Sequence, residues 1–492
     1  MSQGSTISIS SAPVTTNDAD RLELAAIDRS VRLPVLFFFG SAIFWLLVSS
    51  LLGMISAVQI NQPWFLDNCP FLTFGRVRPA HLDSLIYGWA SAAGIGVGIW
   101  LMARLSGVVL KQNKLLIVAG IFWNVGNLIG VLAILAGYSQ SIEWLNYPSF
   151  AALLLFIAYG FIAIWGIIIF QSRKPGGVYV SQWYLLAAFL CFPWLYATAN
   201  TFLVWHTIQG SAQTPINWWY AQGIFGLWFV PLGLASAYYF IPRIVGRPIH
   251  SYQISVLAFW AFVLLFSWSG MRWLIGGPIP AWMSSVSIVA SVLLVIPIAL
   301  VAINHYVTIW NDFDALSWSP TLRFTMVGAL AFTVYGVLNA LSSLAGFNAV
   351  IQFTDWNIGH FYLGMVAFFS MMMFGAMYYI VPRLVGWEWP CIQLISKHFW
   401  LTFIGAVLMV FSLKLGGLIQ GFGLDDPKID FITTVKFVSP FRVCAAAFGL
   451  LIVVGNIIFA CHFVRLLLKL GIPNETATST TTRNLSGEAV RV

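Results

Sequence analysis

Apolar residues run through this chain in long blocks rather than in alternation. Blocks of more than 18 residues recur between residues 34 and 468, separated by short polar or basic stretches. A helix needs about 20 apolar residues to cross the hydrocarbon of a bilayer, whereas barrel strands read as alternating segments of about ten. The pattern predicts twelve membrane-spanning helices, near 34–57, 80–103, 115–138, 149–171, 183–206, 217–241, 253–275, 282–308, 321–345, 358–381, 398–420 and 441–468. Many Trp and Tyr fall at the ends of these runs, where interfacial anchors sit. Residues 1–33 are polar and lack the apolar core of a cleaved signal peptide, so the first span is expected to serve as the insertion signal. Residues 471–492 are Thr-rich and polar and are expected to form a disordered tail. The chain thus reads as an all-α polytopic membrane protein, with a polar tail over 1–33, one twelve-helix domain over 34–470 and a second tail over 471–492.

Composition excludes the alternatives. Of the 492 residues, 60% are apolar and 8% are charged, against about 25% charged in a soluble domain. That rules out a cytosolic enzyme, and it rules out disorder except at the two ends. With twelve spans, both termini share a side. That side holds 17 of the 24 Lys and Arg; the opposite side holds Arg76, Arg78, Lys428, Lys436 and Arg442, and Arg272 and Lys414 fall within spans. Basic loops stay in the cytoplasm, so both termini are expected there, in a bacterial-type cytoplasmic (inner) membrane. The same bias accounts for the net charge of +8 with the lipid bilayer as partner and no nucleic acid. The five cysteines, Cys69, Cys191, Cys391, Cys444 and Cys461, form no CxxC and no CxxCH. They therefore spell neither covalent haem attachment, nor a zinc knuckle, nor a disulfide framework.

Ionisable groups inside spans are expensive and are read first as functional. They are His81, Asp83, Arg272, His360 and Lys414, with His206 and His305 near span ends. His81 opens the second span and His360 opens the tenth, so both lie at the outer ends of their helices. An interfacial histidine beside basic residues is one reading of His81. Two neutral imidazoles at one depth also suit an iron porphyrin, for which His is a common axial ligand.

Four stretches carry a family resemblance. They are Phe74-Gly-Arg-Val-Arg-Pro-Ala-His81; Trp218-Trp-Tyr220 with Tyr238-Tyr-Phe-Ile-Pro242 and Arg247-Pro-Ile-His-Ser-Tyr252; Trp268-Ser-Gly270 through Pro280-Ala-Trp282; and Thr354-Asp-Trp-Asn-Ile-Gly-His360 with Tyr378-Tyr-Ile-Val-Pro382. In this order they resemble subunit I of the haem-copper oxidases, in the cbb3-type (C-type) branch, which is also similar to the large subunit of nitric oxide reductases. The resemblance runs from Leu72 to about Asn456 and implies a twelve-helix oxidase subunit I-like bundle.

The resemblance implies six histidine ligands, two for a low-spin haem, one for a high-spin haem and three for copper. His81 matches the first low-spin ligand and His360 the proximal ligand of the high-spin haem. The second low-spin ligand belongs two residues later, where this chain has Tyr362. A phenolate can ligate haem; packing or hydrogen bonding beside the porphyrin is the plainer role. At the copper site, the family's His after Trp-Trp-Tyr-Gly falls on Gln222 and its His-His pair falls on Arg272-Trp273. The redox tyrosine falls on Phe266. Copper favours imidazole, and a guanidinium is a permanent cation with no acceptor, so copper binding is not expected. Arg272 is expected either to fill the vacated space, pairing with a haem propionate or a carboxylate, or to form a structural ion pair. Arg442 resembles a propionate-pairing position. Tyr252 and Ser255 resemble a proton-entry path, and Lys414 is expected to snorkel or to pair with Asp425 or Asp426. His250, His398 and His462 read as interfacial histidines.

The expected function is a cbb3-type cytochrome c oxidase subunit I-like protein that binds one or two haem b groups within a respiratory electron-transfer complex. It would dock a membrane-anchored cytochrome c subunit and be impaired in dioxygen reduction, leaving its standing as an enzyme open. Two alternatives remain: an active terminal oxidase or nitric oxide reductase with an atypical site, and a haem-free scaffold or transporter on the same fold.

Overall fold

A computed structural model describes residues 16–470 of the chain. The expected C-terminal tail over 471–492 and the first 15 residues of the N-terminal tail lie outside them. Besides short helices at Pro70–Leu72, Ala315–Trp318 and Ala345–Ile351, twelve longer helical segments follow in order: α1 Thr16–Gln59, α2 Phe74–Ser106, α3 Asn113–Ala136, α4 Ser149–Gln171, α5 Val180–Trp205 and α6 Gly210–Val245, then α7 Tyr252–Phe266, α8 Ala281–Ile309, α9 Pro320–Ser343, α10 Asp355–Val385, α11 Ile392–Asp425 and α12 Phe431–Leu467. Eleven are long and apolar enough to cross a membrane. The helix of α1 starts well before residue 34 and passes through Pro34.

The exception is α7. The apolar run predicted a span over 253–275, but the α-helix stops at Phe266 and a tight three-residue-per-turn segment follows at Ser269–Leu274. Gly270 permits this, because a Cβ there would sit 2.6 Å from the Trp218 carbonyl oxygen. The turn therefore lies directly on the backbone of α6. Beyond it, Gly276 takes φ +82°, a left-handed conformation that glycine adopts without penalty.

Three helices form the inner layer. The apolar windows of α2, α6 and α10 are 100%, 94% and 94% buried, whereas the other windows are 33–56% buried. In a bilayer, the outer helices would present their exposed apolar faces to lipid. The inner three end alike, at Gly107 (φ +63°), Gly246 (φ +75°) and Gly386 (φ +77°). Each is a left-handed glycine cap with an arginine in the preceding turn: Arg104, Arg243 and Arg383. A cation there complements the helix dipole.

The inner helices also share a local irregularity. Each loosens into π-type turns, over Ser84–Ala90, Phe225–Phe229 and Leu363–Ser370. The bonds that close them run from Ser91 N–H to the Ile86 carbonyl, from Val230 to Phe225 and from Met371 to Val366. Such widened turns shift the register of a helix face and occur often at functional sites. Here they begin three residues after His81 and Gln222 and directly after Tyr362.

Candidate functional site: two adjoining cavities

Two cavities open between the inner helices, α1, α11 and α12, at the end of the bundle where α2 and α10 begin. The narrower, about 160 Å³, is bounded by Ser49, Gly53, His81, Tyr362 and Asn456 among apolar neighbours. The wider, about 550 Å³, is bounded by Gln222, Trp273, Tyr335 and His360. Arg78, His81, Asp355, Tyr362 and Arg442 border both. His81, His360, Tyr362, Arg442, Gln222 and Trp273 therefore converge on one place, whereas Arg272, Phe266 and the residues of the expected proton path, Tyr252 and Ser255, line neither cavity.

His81 is tightly held. Its Nδ1 lies 2.8 Å from the Ser49 carbonyl oxygen, to which only a protonated Nδ1 can donate. That fixes the lone pair on Nε2, the tautomer a metal ligand needs. Nε2 in turn accepts from the Tyr362 hydroxyl at 3.0 Å. A metal–imidazole bond takes about 2 Å on one side alone, so no metal ion fits between these two atoms. Tyr362 therefore serves here as hydrogen-bond donor to His81, and this spacing leaves no place for an iron ion ligated by both side chains. Gly53 makes the arrangement possible: a Cβ there would meet His81 Cε1 at 2.7 Å.

His360 contrasts in every respect. It is buried, yet neither ring nitrogen has a hydrogen-bond partner. Tyr335 of α9 stacks on it, with centroids 4.2 Å apart at 21°. A buried polar atom without a partner costs about 1–3 kcal/mol, so two on one ring mark a group awaiting a partner. An axial imidazole on a haem uses one nitrogen for iron, and the donor set of this wall fits that use. Tyr335 was not singled out from sequence, because an aromatic at helical spacing within an apolar run reads as core.

Between the cavities Arg442 grips Asp355 with two bonds, Nε to Oδ2 at 2.6 Å and Nη2 to Oδ1 at 3.1 Å. Asp355 is nearly buried, and its own N–H donates to Gln420 Oε1. Arg442 is thus already engaged by a carboxylate of the chain, at the lip shared by both cavities.

The copper-site positions form a different kind of wall. Trp273 stacks on Trp218 at 5.2 Å and 21°, and its indole N–H points to Gln222 Oε1 at 3.4 Å, a long contact. Phe266 packs on Phe262 and fills the space above Gly226, leaving no room there for a side chain. Arg272 turns away. It donates to Asn339 Oδ1 at 2.6 Å and lies over the Trp273 ring at 4.1 Å. The carboxylate partner expected from sequence is replaced by the Asn339 amide and an indole face. Among the described residues no three His, Cys, Asp or Glu gather as a metal ligand set.

Three other expectations change. Lys414 does not reach Asp425 or Asp426; its ammonium sits 3.9 Å from the centre of the Trp356 ring, without a hydrogen-bond partner. Eleven helical residues separate Lys414 from Asp425, about 16 Å, beyond the reach of the side chain. His398 and His462, expected at an interface, have no exposure. Tyr378 reaches His398 Nδ1 at 3.0 Å, and His462 Nε2 accepts from the Cys391 N–H at 3.2 Å. Finally, the intramembrane carboxyl of Asp83 is fully buried and accepts from Asn146 at 3.0 Å, beside a Tyr87–Tyr220 hydroxyl pair 2.6 Å apart.

The family model described as "Cytochrome C and Quinol oxidase polypeptide I" matches residues 33–451. The chain belongs to that family. It is 28% identical over 460 residues to the bacteroid cytochrome c oxidase subunit 1 homolog of Bradyrhizobium diazoefficiens, covering 87% of this chain and 80% of that one. It is 29% identical over 430 residues to the cbb3-type cytochrome c oxidase subunit CcoN1 of Stutzerimonas stutzeri, covering 85% and 89%. In fold it matches a solved heme-copper terminal oxidase dimer with a TM-score of 0.73 at 12% identity, over 93% of this chain and 86% of that chain. The resemblance drawn from the four sequence stretches is thus borne out, as is the helical membrane fold. Family membership implies haem as the class of cofactor and a place in a membrane-embedded oxidase assembly.

Proposed function

We propose that this oxidase subunit I seats a single b-type haem on His360 and serves its complex as an electron relay or store, without copper-dependent dioxygen reduction. The observation that carries this reading is the wall of the wider cavity. One part offers a buried imidazole with two unpartnered nitrogens, while the copper positions offer Gln222 and Trp273, with Arg272 buried behind the Trp273 ring. An amide, a guanidinium and an indole give a copper ion no imidazole to bind. When bound, the haem would supply one-electron redox chemistry. The chain's own residues do the rest. His360 would hold the haem iron through a ring nitrogen, with Tyr335 as its stacking support. Arg78 and Arg442, at the lip of both cavities, would face the propionates, with Asp355 orienting Arg442.

His81 with Tyr362 supports a haem less well, since their hydrogen bond closes the gap a shared iron would need. One haem per chain is therefore the expected stoichiometry, rather than two. In this reading the donor is a membrane-anchored cytochrome c subunit, since the chain has no CxxCH. The chain lies in a bacterial inner membrane with both termini cytoplasmic, and Arg104, Arg243 and Arg383 mark the cytoplasmic ends of the inner helices.

The test is a dithionite-reduced minus oxidised spectrum of the purified complex, with a pyridine haemochrome and a copper assay. One haem b per chain and no stoichiometric copper is the expected result. Stoichiometric copper overturns the copper reading, and a haem-free chain brings forward the scaffold or transporter alternative.

A further inference from the structure

Among the described residues, two cations lie buried near His360 without a counter-ion. Arg272 has no exposed surface and Lys414 is 8% exposed. Apart from the bond to Asn339, Arg272 leaves Nε and Nη1 without partners, and Lys414 Nζ has none at all. Each lies on an indole face, Arg272 on Trp273 and Lys414 on Trp356. The Lys414 stem packs against Gly359, the residue before His360, where an added Cβ would stand 3.1 Å from Lys414 Cγ. Both cations are within electrostatic reach of His360, and of each other.

The nearby acid is already taken, since Asp355 is bound by Arg442. A ring face attracts a cation but does not neutralise it. Buried charge without a counter-charge is costly in a membrane, and two like charges near each other add to that cost. A guanidinium cannot relieve it by losing its proton. Such an arrangement is offset only by negative charge arriving next door, and the wall of the adjoining wide cavity is formed by His360 and Trp273 themselves.

We propose that Arg272 and Lys414 are positioning residues that bias the haem of the His360 site toward its reduced form, raising its midpoint potential. The inference rests on reading the His360 cavity as a haem seat. Its physics is simple: ferrous haem would carry one more negative charge than ferric haem, and cationic side chains of Arg272 and Lys414 near His360 would favour the more negative state. A site poised this way accepts an electron readily and gives it up reluctantly, which suits the end of a relay better than its middle.

The experiment is a spectroelectrochemical titration of the purified complex carrying the wild-type chain, Arg272→Met, Lys414→Met or Lys414→Arg. Each Met variant is expected to lower the ferrous-to-ferric ratio at a fixed potential on the order of tenfold, the general scale for removing one unit charge about 10 Å from a redox centre at an effective dielectric of about 20. Tenfold is about 59 mV for a one-electron couple. Lys414→Arg, which keeps the charge, is expected to hold the wild-type potential. Met variants that bind haem fully with unshifted potentials overturn the electrostatic role while leaving the haem seat intact. A wild-type chain without haem absorbance overturns the seat, and the proposal with it. Should Arg272→Met fail to assemble, the Lys414 pair of variants decides alone.

Discussion

His81 and His360 are the same residue at the same end of neighbouring inner helices, yet their surroundings oppose each other. His81 has a carbonyl on one nitrogen and a tyrosine hydroxyl on the other, and it borders both the cavity of about 160 Å³ and the wider one. His360 has no partner on either nitrogen and borders a cavity of about 550 Å³. Burial alone does not distinguish them, for both are nearly sealed from solvent. What differs is whether the chain itself satisfies the imidazole. On the reading proposed above, a histidine satisfied by its own chain is a structural tie, whereas His360, left unsatisfied beside a wide cavity, would be a seat for something else.

The strongest consequence concerns haem content. His360→Ala is expected to remove essentially all haem from the purified complex, whereas His81→Ala leaves roughly one haem per chain. A pyridine haemochrome referred to polypeptide checks both. Haem retained in His360→Ala and lost in His81→Ala would invert the assignment. Tyr362→His is the complementary change. It removes the phenol that occupies His81 and supplies the second imidazole the family places there, so haem per chain is expected to rise from one toward two. An unchanged ratio would mean that the narrow cavity, rather than Tyr362, excludes the second haem.

Much of this was legible in the sequence because the bilayer is an unforgiving solvent. Long apolar runs located the spans, and single polar residues within them located His81, His360, Arg272 and Lys414. What stayed hidden depends on backbone detail or on distant packing. The run over 253–275 is apolar enough for a span, but the contact of Gly270 with the Trp218 backbone turns the chain after Phe266. The π-type turns after His81, Gln222 and Tyr362 leave no compositional trace. Lys414 seemed to have acids nearby in sequence, but the helix carries them about 16 Å away and brings Trp356 instead. Tyr335 looked like any aromatic of an apolar helix until its ring lay on His360.

Stability offers smaller effects that separate the two histidines again. Gly53 is the floor beneath His81, and a methyl there would meet the imidazole at 2.7 Å, with Nδ1 at 2.8 Å. The ring cannot retreat without breaking its bond to the Ser49 carbonyl. Gly53→Ala is therefore expected to cost about 1–3 kcal/mol, the usual range for overpacking, read as a lowered thermal midpoint in detergent. Gly346, in the same end of the bundle but with no atom within 4 Å of an added Cβ, is the matched control. Gly346→Ala should leave the midpoint nearly unchanged.

The smallest change tests the tie itself. Tyr362→Phe removes one hydroxyl and keeps the ring, so packing against Phe361 and the apolar wall survives. His81 Nε2 then faces the narrow cavity without a donor. The expected cost is about 1 kcal/mol if a water enters to donate in its place, and up to about 3 kcal/mol if the nitrogen stays unsatisfied. The imidazole stays anchored through Nδ1 to Ser49 in either case. Haem content should not change, because removing the phenol frees the nitrogen without supplying a second ligand. Tyr335→Phe makes the contrast at the other histidine. Its ring keeps the stack on His360, and no hydroxyl bond to that imidazole is lost. A midpoint lowered by Tyr362→Phe and left in place by Tyr335→Phe would establish that one histidine is held by hydrogen bonds and the other only by a ring face. Equal shifts would show that both tyrosines act merely as packing.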